Sequence, residues 1–178
     1  MAVRFSAPER CVSRDDVLVD RLAALWEASV RATHDFLSEE DIRGIRSFVP
    51  DALRSVADLR IVRDAEGVPV AFMGMEGRRL EMLFVDPVCR GAGVGTALVR
   101  EAFAAGVTEV VVNEENPAAR GFYEHVGFVV CGRSERDEQG GPFPILYMKL
   151  NDVFIEPGAE PRLHGRCRDE KTKRETKR

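Results

Sequence analysis

Between Leu80 and Ala105 the chain runs from a strand through a glycine-rich turn straight into a helix. Leu80-Glu-Met-Leu-Phe-Val85 is apolar and strand-like, and Asp86-Pro87 ends it. Arg90 follows, then Gly91, Gly93 and Gly95 at alternate positions, then the helix-like Thr96-Ala-Leu-Val-Arg-Glu-Ala-Phe-Ala-Ala105. Glycines let backbone N–H groups approach an anion closely, and a helix start adds partial positive charge aimed at it. The segment therefore points to a diphosphate-bearing cofactor rather than to a bare apolar core.

Two common phosphate loops do not fit. A dinucleotide fingerprint needs G-x-G-x-x-G early in a βαβ unit, whereas the spacing here is Gly91-x-Gly93-x-Gly95 and two strand-like runs, Leu59–Arg63 and Val68–Met75, already precede it. A Walker A loop needs Gly-Lys-Ser/Thr, and this turn has no lysine. A second segment, Asn116-Pro-Ala-Ala-Arg-Gly-Phe-Tyr-Glu-His-Val-Gly-Phe128, reads as a capped helix. Asn116 suits the N-cap and Pro117 the first helical position. Ala119, Phe122, Tyr123 and Val126 form an apolar stripe, and Gly127 suits a left-handed C-cap before a new strand.

Taken together, Arg90-x-x-Gly93-x-Gly95 after Val85-Asp86-Pro87 and N-x-x-A-x-x-F-Y-x-x-x-G-F from Asn116 resemble the two signatures of the GNAT N-acetyltransferases. A narrower likeness is to the bacterial YjaB-type members, carried by Trp26-Glu-Ala-Ser-Val-Arg-Ala-Thr-His-Asp-Phe-Leu37, Gly132-Arg-Ser-Glu135 and Gly141-Pro-Phe-Pro-Ile-Leu146. The likeness covers about residues 1–150.

The rest of the chain fits an α+β layout. Val3–Phe5 reads as a short first strand, and Ser13-Arg-Asp-Asp16 as a capping box opening a helix with Leu18, Leu22, Leu25, Trp26 and Ser29 at helical spacing. Ser38-Glu-Glu-Asp41 starts a second helix with Ile42, Ile45 and Val49 on one face; Pro50 halts it, and Asp51–Ala57 reads as another short helix. Leu59–Arg63 and Val68–Met75 form a hairpin around Asp64–Gly67. Strands follow at Leu80–Val85, Glu109–Asn113, Phe128–Arg133 and Ile145–Leu150. The resemblance implies a mixed, mostly antiparallel central sheet flanked by helices and splayed in the middle to hold acetyl-CoA.

Composition narrows the class. The chain has 178 residues, 44% hydrophobic and 31% charged, values of one globular domain. No apolar run approaches the ~20 residues of a membrane span, and none suits a signal peptide, so a membrane is not an expected partner. Cys11, Cys89, Cys131 and Cys167 are scattered, which suits isolated thiols in a reducing cytoplasm. His34, His125 and His164 stand at no metal-ligand spacing, so no metal is expected. Net charge is −4, split between −7 for residues 1–155 and +3 from Glu156 onward. Residues 151–178 read as a flexible polar tail, and their cations lack the interleaved aromatics of a nucleic-acid binder. The pattern leaves oligomeric state open between monomer and homodimer.

The remaining roles come from the resemblance. It implies transfer of the acetyl group of acetyl-CoA to a primary amine, with protein lysine as an acceptor, by direct attack in a ternary complex. It places Tyr123 beside the coenzyme sulfur as general acid, and a phenol's ordinary pKa near 10 lies close enough to a thiol's ~8.5 for near-balanced proton transfer. Glu81 is the leading candidate for the base: it matches a strand position that carries a titratable residue in some relatives, including a carboxylate in the YjaB type, and alternation puts it on one face with Leu83 and Val85. Many relatives instead carry a glutamate where Val111 stands, which leaves Glu114 and Glu115 as weaker candidates. Backbone groups of Leu83, Phe84 and Val85 are implied to bind the pantetheine arm. Arg90, Gly91, Ala92, Gly93, Val94, Gly95 and Thr96 are implied to hold the pyrophosphate, and Asn116 to touch the arm. His34 and Asp35 lie where the first two helices meet, on the acceptor side. Two other readings stay open: a non-catalytic acyl-CoA-binding or sensor module, and a small-molecule amine acetyltransferase.

Overall fold

The computed structural model describes residues 5–151. The expectations for the tail beyond Asn151, and for Val3 and Arg4, lie outside the described residues.

The chain builds β1 (Glu9–Arg10), α1 (Asp16–Arg31), α2 (Glu39–Ser55), β2 (Asp58–Arg63), β3 (Pro69–Glu76), β4 (Arg79–Val85), α3 (Val94–Ala104), β5 (Glu109–Asn113), α4 (Pro117–His125), β6 (Phe128–Ser134) and β7 (Ile145–Leu150). One seven-stranded sheet runs in the order β1-β2-β3-β4-β5-β7-β6. All neighbouring strands are antiparallel except β4 and β5.

The sheet separates two apolar cores. Leu22, Trp26, Leu53, Leu59, Ile61 and Phe72 belong to the one under α1 and α2. Val62, Met73, Leu98, Tyr123, Phe128 and Met148 belong to the one under α3 and α4. Strand β3 serves both, which is why its apolar run lacks polar alternation: Phe72 faces one core and Met73 the other. Trp26 meets Phe84 edge-on at 6.4 Å, and Phe84 lies 5.5 Å from Phe72. These ring contacts seat α1 across β4 and bring its C-terminal end over the middle of the sheet.

Four local expectations need correction. The first strand is Glu9–Arg10, paired with Ile61 and Arg60, while Phe5 is irregular and packs against the α3/α4 core. Two charged residues carry no alternating pattern, so only pairing defines this strand. Helix α1 is capped by Asp15, whose Oδ1 accepts from the Leu18 N–H at 2.8 Å, not by a box from Ser13. Helix α2 keeps the Ser38/Asp41 capping box but runs through Pro50 to Ser55 without a break. Proline costs the helix one hydrogen bond and a clash with the preceding turn; burial of Ile42, Val49 and Leu53 on one face offsets that cost, while Ile45 stays exposed.

The fourth correction lies in β4. Its register with β3 shifts: Met75 pairs with Leu80, but Gly74 pairs with Met82. Glu81 is thus the extra residue of a β-bulge. Gly74 suits this crowded spot, since a Cβ there would stand 3.0 Å from Val56 Cγ2. Leu80, not Glu81, shares the α3/α4 core with Leu83 and Val85. Simple alternation fails because the bulge resets it.

Candidate active site

Strands β4 and β5 pair only at Arg79–Glu109 and Leu80–Val110. Strand β5 instead pairs with β7 along its length. Beyond Leu80 the two central strands part, and a cavity of about 120 Å³ opens between residues 80–84 and 110–113. It shares Leu83, Phe84, His34, Asn116, Ala119 and Tyr123 with a cleft of about 430 Å³ that reaches the glycine turn.

The glycine turn forms the far wall of that cleft. Gly91 and Gly93 have φ of 75° and 82°, which a side chain would strain. Gly93 is the N-cap of α3 and gives it no side-chain hydrogen bond. The first-turn N–H groups of α3 therefore lack a side-chain cap, and a helix start left in that state suits an anion. Gly91, Gly93, Val94, Gly95 and Thr96 line the cleft; Ala92 is exposed beside it and does not. Arg90 lines it too, but its Nη2 donates to the Ser29 carbonyl (3.0 Å) and to Ser29 Oγ (2.9 Å). That contact fastens the turn to α1.

A directional hydrogen-bond chain crosses the cleft mouth. The Thr33 hydroxyl donates to the Ser29 carbonyl at 2.9 Å, so its oxygen is left to accept from His34 Nδ1 at 2.9 Å. This assigns the proton of neutral His34 to Nδ1 and leaves Nε2 as acceptor, 3.5 Å from Asn116 Nδ2. Burial, reinforced by the Arg90 charge, holds His34 below its ordinary pKa of 6.5, so the neutral ring is the form present at pH 7. Asn116 is buried; its Oδ1 caps α4 through the Ala119 N–H at 3.0 Å. One amide thus starts a helix and faces the cleft. Asp35 is exposed and lines neither cavity.

Tyr123 borders both cavities. Its ring packs edge-on against Phe122 (5.2 Å) and Phe128 (5.7 Å), and no described residue hydrogen-bonds its hydroxyl. Burial raises its pKa well above the ordinary phenol value, so it stays protonated. Glu81 lines the cavity between the strands. Burial raises its pKa, Arg79 opposes that, and Glu138 and Glu76 add to it. Glu114 and Glu115 line neither cavity, and Glu114 is held by Arg133 at 2.7 Å. The structure thus brings Tyr123, Glu81, Asn116 and His34 around one opening and leaves Asp35, Ala92, Glu114 and Glu115 outside it.

Residues 57–130 match the family model of the acetyltransferase (GNAT) domain. The peptidyl-lysine N-acetyltransferase YjaB of Escherichia coli (strain K12) is 44% identical over 134 residues, spanning 71% of this chain and 86% of that protein. The chain belongs to the GNAT acetyltransferases. YjaB of Salmonella typhimurium is 43% identical over 129 residues, spanning 71% of this chain and 88% of that protein. The solution structure of apo YjaB from Escherichia coli superposes with a TM-score of 0.74 at 38% identity, covering 83% of this chain and 97% of that one. As a GNAT enzyme, the protein moves the acetyl group of acetyl-CoA to an amine nitrogen. No helix among the described residues is long and apolar enough to cross a membrane.

Sequence reasoning gives no site role to several lining residues: it misses Ser29, Cys89 and Ala118, and it reads Ala119 and Phe122 as signature and packing residues only. Ser29 did leave a signal, as a small polar residue inside the apolar stripe of α1. Cys89 left none.

Proposed function

We propose that this GNAT enzyme acetylates the side-chain amine of protein lysine, with Tyr123 as general acid and Glu81 as general base. The observation that carries the reading is the opening between β4 and β5, which Tyr123 and Glu81 both border. The YjaB relatives, named as peptidyl-lysine N-acetyltransferases, support the acceptor class.

Acetyl-CoA supplies the thioester carbonyl. The first turn of α3 holds the diphosphate through N–H groups that Gly93 leaves without a side-chain cap. Leu83, Phe84 and Val85 lie where β4 has lost its β5 partner, so the backbone groups of this stretch that point away from β3 are available to the amides of the pantetheine arm. One of those N–H groups supports the negative charge that develops on the carbonyl oxygen. Asn116 turns Nδ2 toward the same space. Glu81, directly or through water, takes the proton that the acceptor ammonium must lose before its nitrogen can attack. As the C–S bond breaks, Tyr123 Oη gives a proton to the departing thiolate, and the proton that the nitrogen sheds as the amide forms restores the phenol. His34, neutral with Nε2 open, borders the acceptor side. The catalytic domain spans residues 1–150, followed by a charged tail at 151–178. A cytoplasmic setting is supported by the free thiols Cys11, Cys89 and Cys131.

The test is a screen of lysine peptides, proteins and small amines with acetyl-CoA, following thiol release. Turnover on lysine peptides supports the reading, and turnover only on small amines overturns the acceptor class. Glu81→Gln should remove the acid limb of the pH–rate profile; an unshifted limb removes Glu81 as base.

A further inference from the structure

Arg79, two residues before Glu81, is tied down by the other side of the molecule. Its Nη1 donates to Glu138 Oε1 at 2.8 Å and its Nη2 to Glu138 Oε2 at 2.5 Å, a fork-on-fork pair with the β6–β7 loop. The remaining nitrogen, Nε, stands 3.1 Å from Glu81 Oε1. This Nε is buried, yet its N–H is not aligned on any acceptor. Arg79 therefore faces Glu81 with charge but does not cap it with a hydrogen bond. Both side chains are about two-thirds covered, at 28% and 33% exposure, so water screens the pair only in part.

The bulge makes this arrangement possible. In a regular strand Arg79 and Glu81 would stand side by side on one face. The extra residue re-aims Glu81 into the cavity between β4 and β5, with its Oε1 still 3.1 Å from Arg79 Nε. Other groups face the same carboxylate or its partner: Glu76 from β3, Glu138 from the β6–β7 loop, and Tyr147 of β7 against Arg79. Tyr123 and His34 border the cavity that Glu81 enters.

We propose that Arg79 is a positioning residue for Glu81, and that Glu138 on the β6–β7 loop sets how much of the Arg79 charge Glu81 feels. The guanidinium favours the charged carboxylate against the burial that disfavours it, while Nε makes no aligned hydrogen bond that would compete with an incoming proton. Glu138 draws part of that charge away and adds its own negative charge. The β6–β7 loop thereby governs the protonation of a group in the strand gap, through one arginine. This rests on Glu81 being the base.

Two readouts separate the inference from that reading. The first is the titration of the Glu81 side-chain carboxyl carbon by nuclear magnetic resonance, assigned by its loss in Glu81→Gln. The second is the acid limb of kcat against pH, with acetyl-CoA and a weakly basic primary amine whose own ionisation stays outside the window. Arg79→Gln should raise the Glu81 midpoint by about one unit, the scale of one partly screened charge at this distance. Arg79→Lys should recover most of the shift. Glu138→Gln should lower the midpoint, and the acid limb should follow both changes. No shift in Arg79→Gln, or shifts of the same sign in Arg79→Gln and Glu138→Gln, overturns the proposal; a merely structural arginine would move neither. If Glu81→Gln leaves the acid limb in place, the base assignment fails while the titration still judges the pairing. If Arg79→Gln does not fold, Glu138→Gln and Arg79→Lys decide.

Discussion

Replacing Tyr123 by Phe tests the acid directly, because the structure separates what the ring does from what the hydroxyl does. The ring packs 5.2 Å from Phe122 and 5.7 Å from Phe128, and phenylalanine keeps both contacts. The hydroxyl has no hydrogen-bond partner among the described residues, so its loss strands no buried group. The cost to stability should stay under about 1 kcal/mol. Catalysis should respond more strongly. General acid–base groups typically contribute ~10²–10⁴-fold. Burial lifts Tyr123 above the ordinary phenol value, and so further above the thiol it is proposed to protonate, which makes it a weaker acid and places the effect at the low end. A loss of about 10²-fold in kcat, or roughly 2.7 kcal/mol of barrier, is expected. Thiol release under saturating substrates gives kcat, calorimetry gives the acetyl-CoA dissociation constant, and a melting curve controls for folding. A kcat within about threefold of the unmodified enzyme would refute the role, given the ~10²-fold minimum expected of a positioned acid. So would an affinity loss as large as the kcat loss, since the tyrosine would then only hold the coenzyme.

Two further predictions follow from the cleft walls. Gly93→Ala must adopt φ near 82° in open space, so the expected penalty is backbone strain of about 1–2 kcal/mol, read as weaker acetyl-CoA binding by calorimetry with little change in the acceptor KM. His34 has a folded pKa below its ordinary 6.5, so the unfolded chain takes the proton first as pH falls. Its contribution to stability is complete above 6.5 and is lost as pH falls through the folded value; His34→Gln should flatten that decline in Tm, and an unchanged slope would refute it.

Local chemistry made much of the fold legible. Strands β5 and β7 and the capped start of α4 lie where propensity and capping place them, because Asn116, Pro117 and the apolar run at Glu109–Asn113 act on their own neighbours. Pro50 misled because its cost is local whereas the burial of Val49 and Leu53 that outweighs it is tertiary. The bulge at Glu81 was invisible for a similar reason, since it is defined by which residues of β3 oppose β4. The glycine turn and the tyrosine helix were readable as motifs. The link from Arg90 to Ser29, and the ring series His34–Phe36–Phe143 joining two loops, were not, because they connect distant segments whose approach is set by helix docking.

The early end of the β4–β5 ladder has a consequence for the molecule as a whole. A sheet interrupted at its centre carries two inner margins of hydrogen-bonding groups, the kind of margin on which a foreign strand can add. In the binding mode proposed above, a long co-substrate rich in amides is seated in that seam and acts as a removable stitch that finishes the sheet. Since a ligand that favours the native state stabilises it in proportion to the logarithm of its concentration, the durability of this enzyme is tied to the supply of its own acetyl donor.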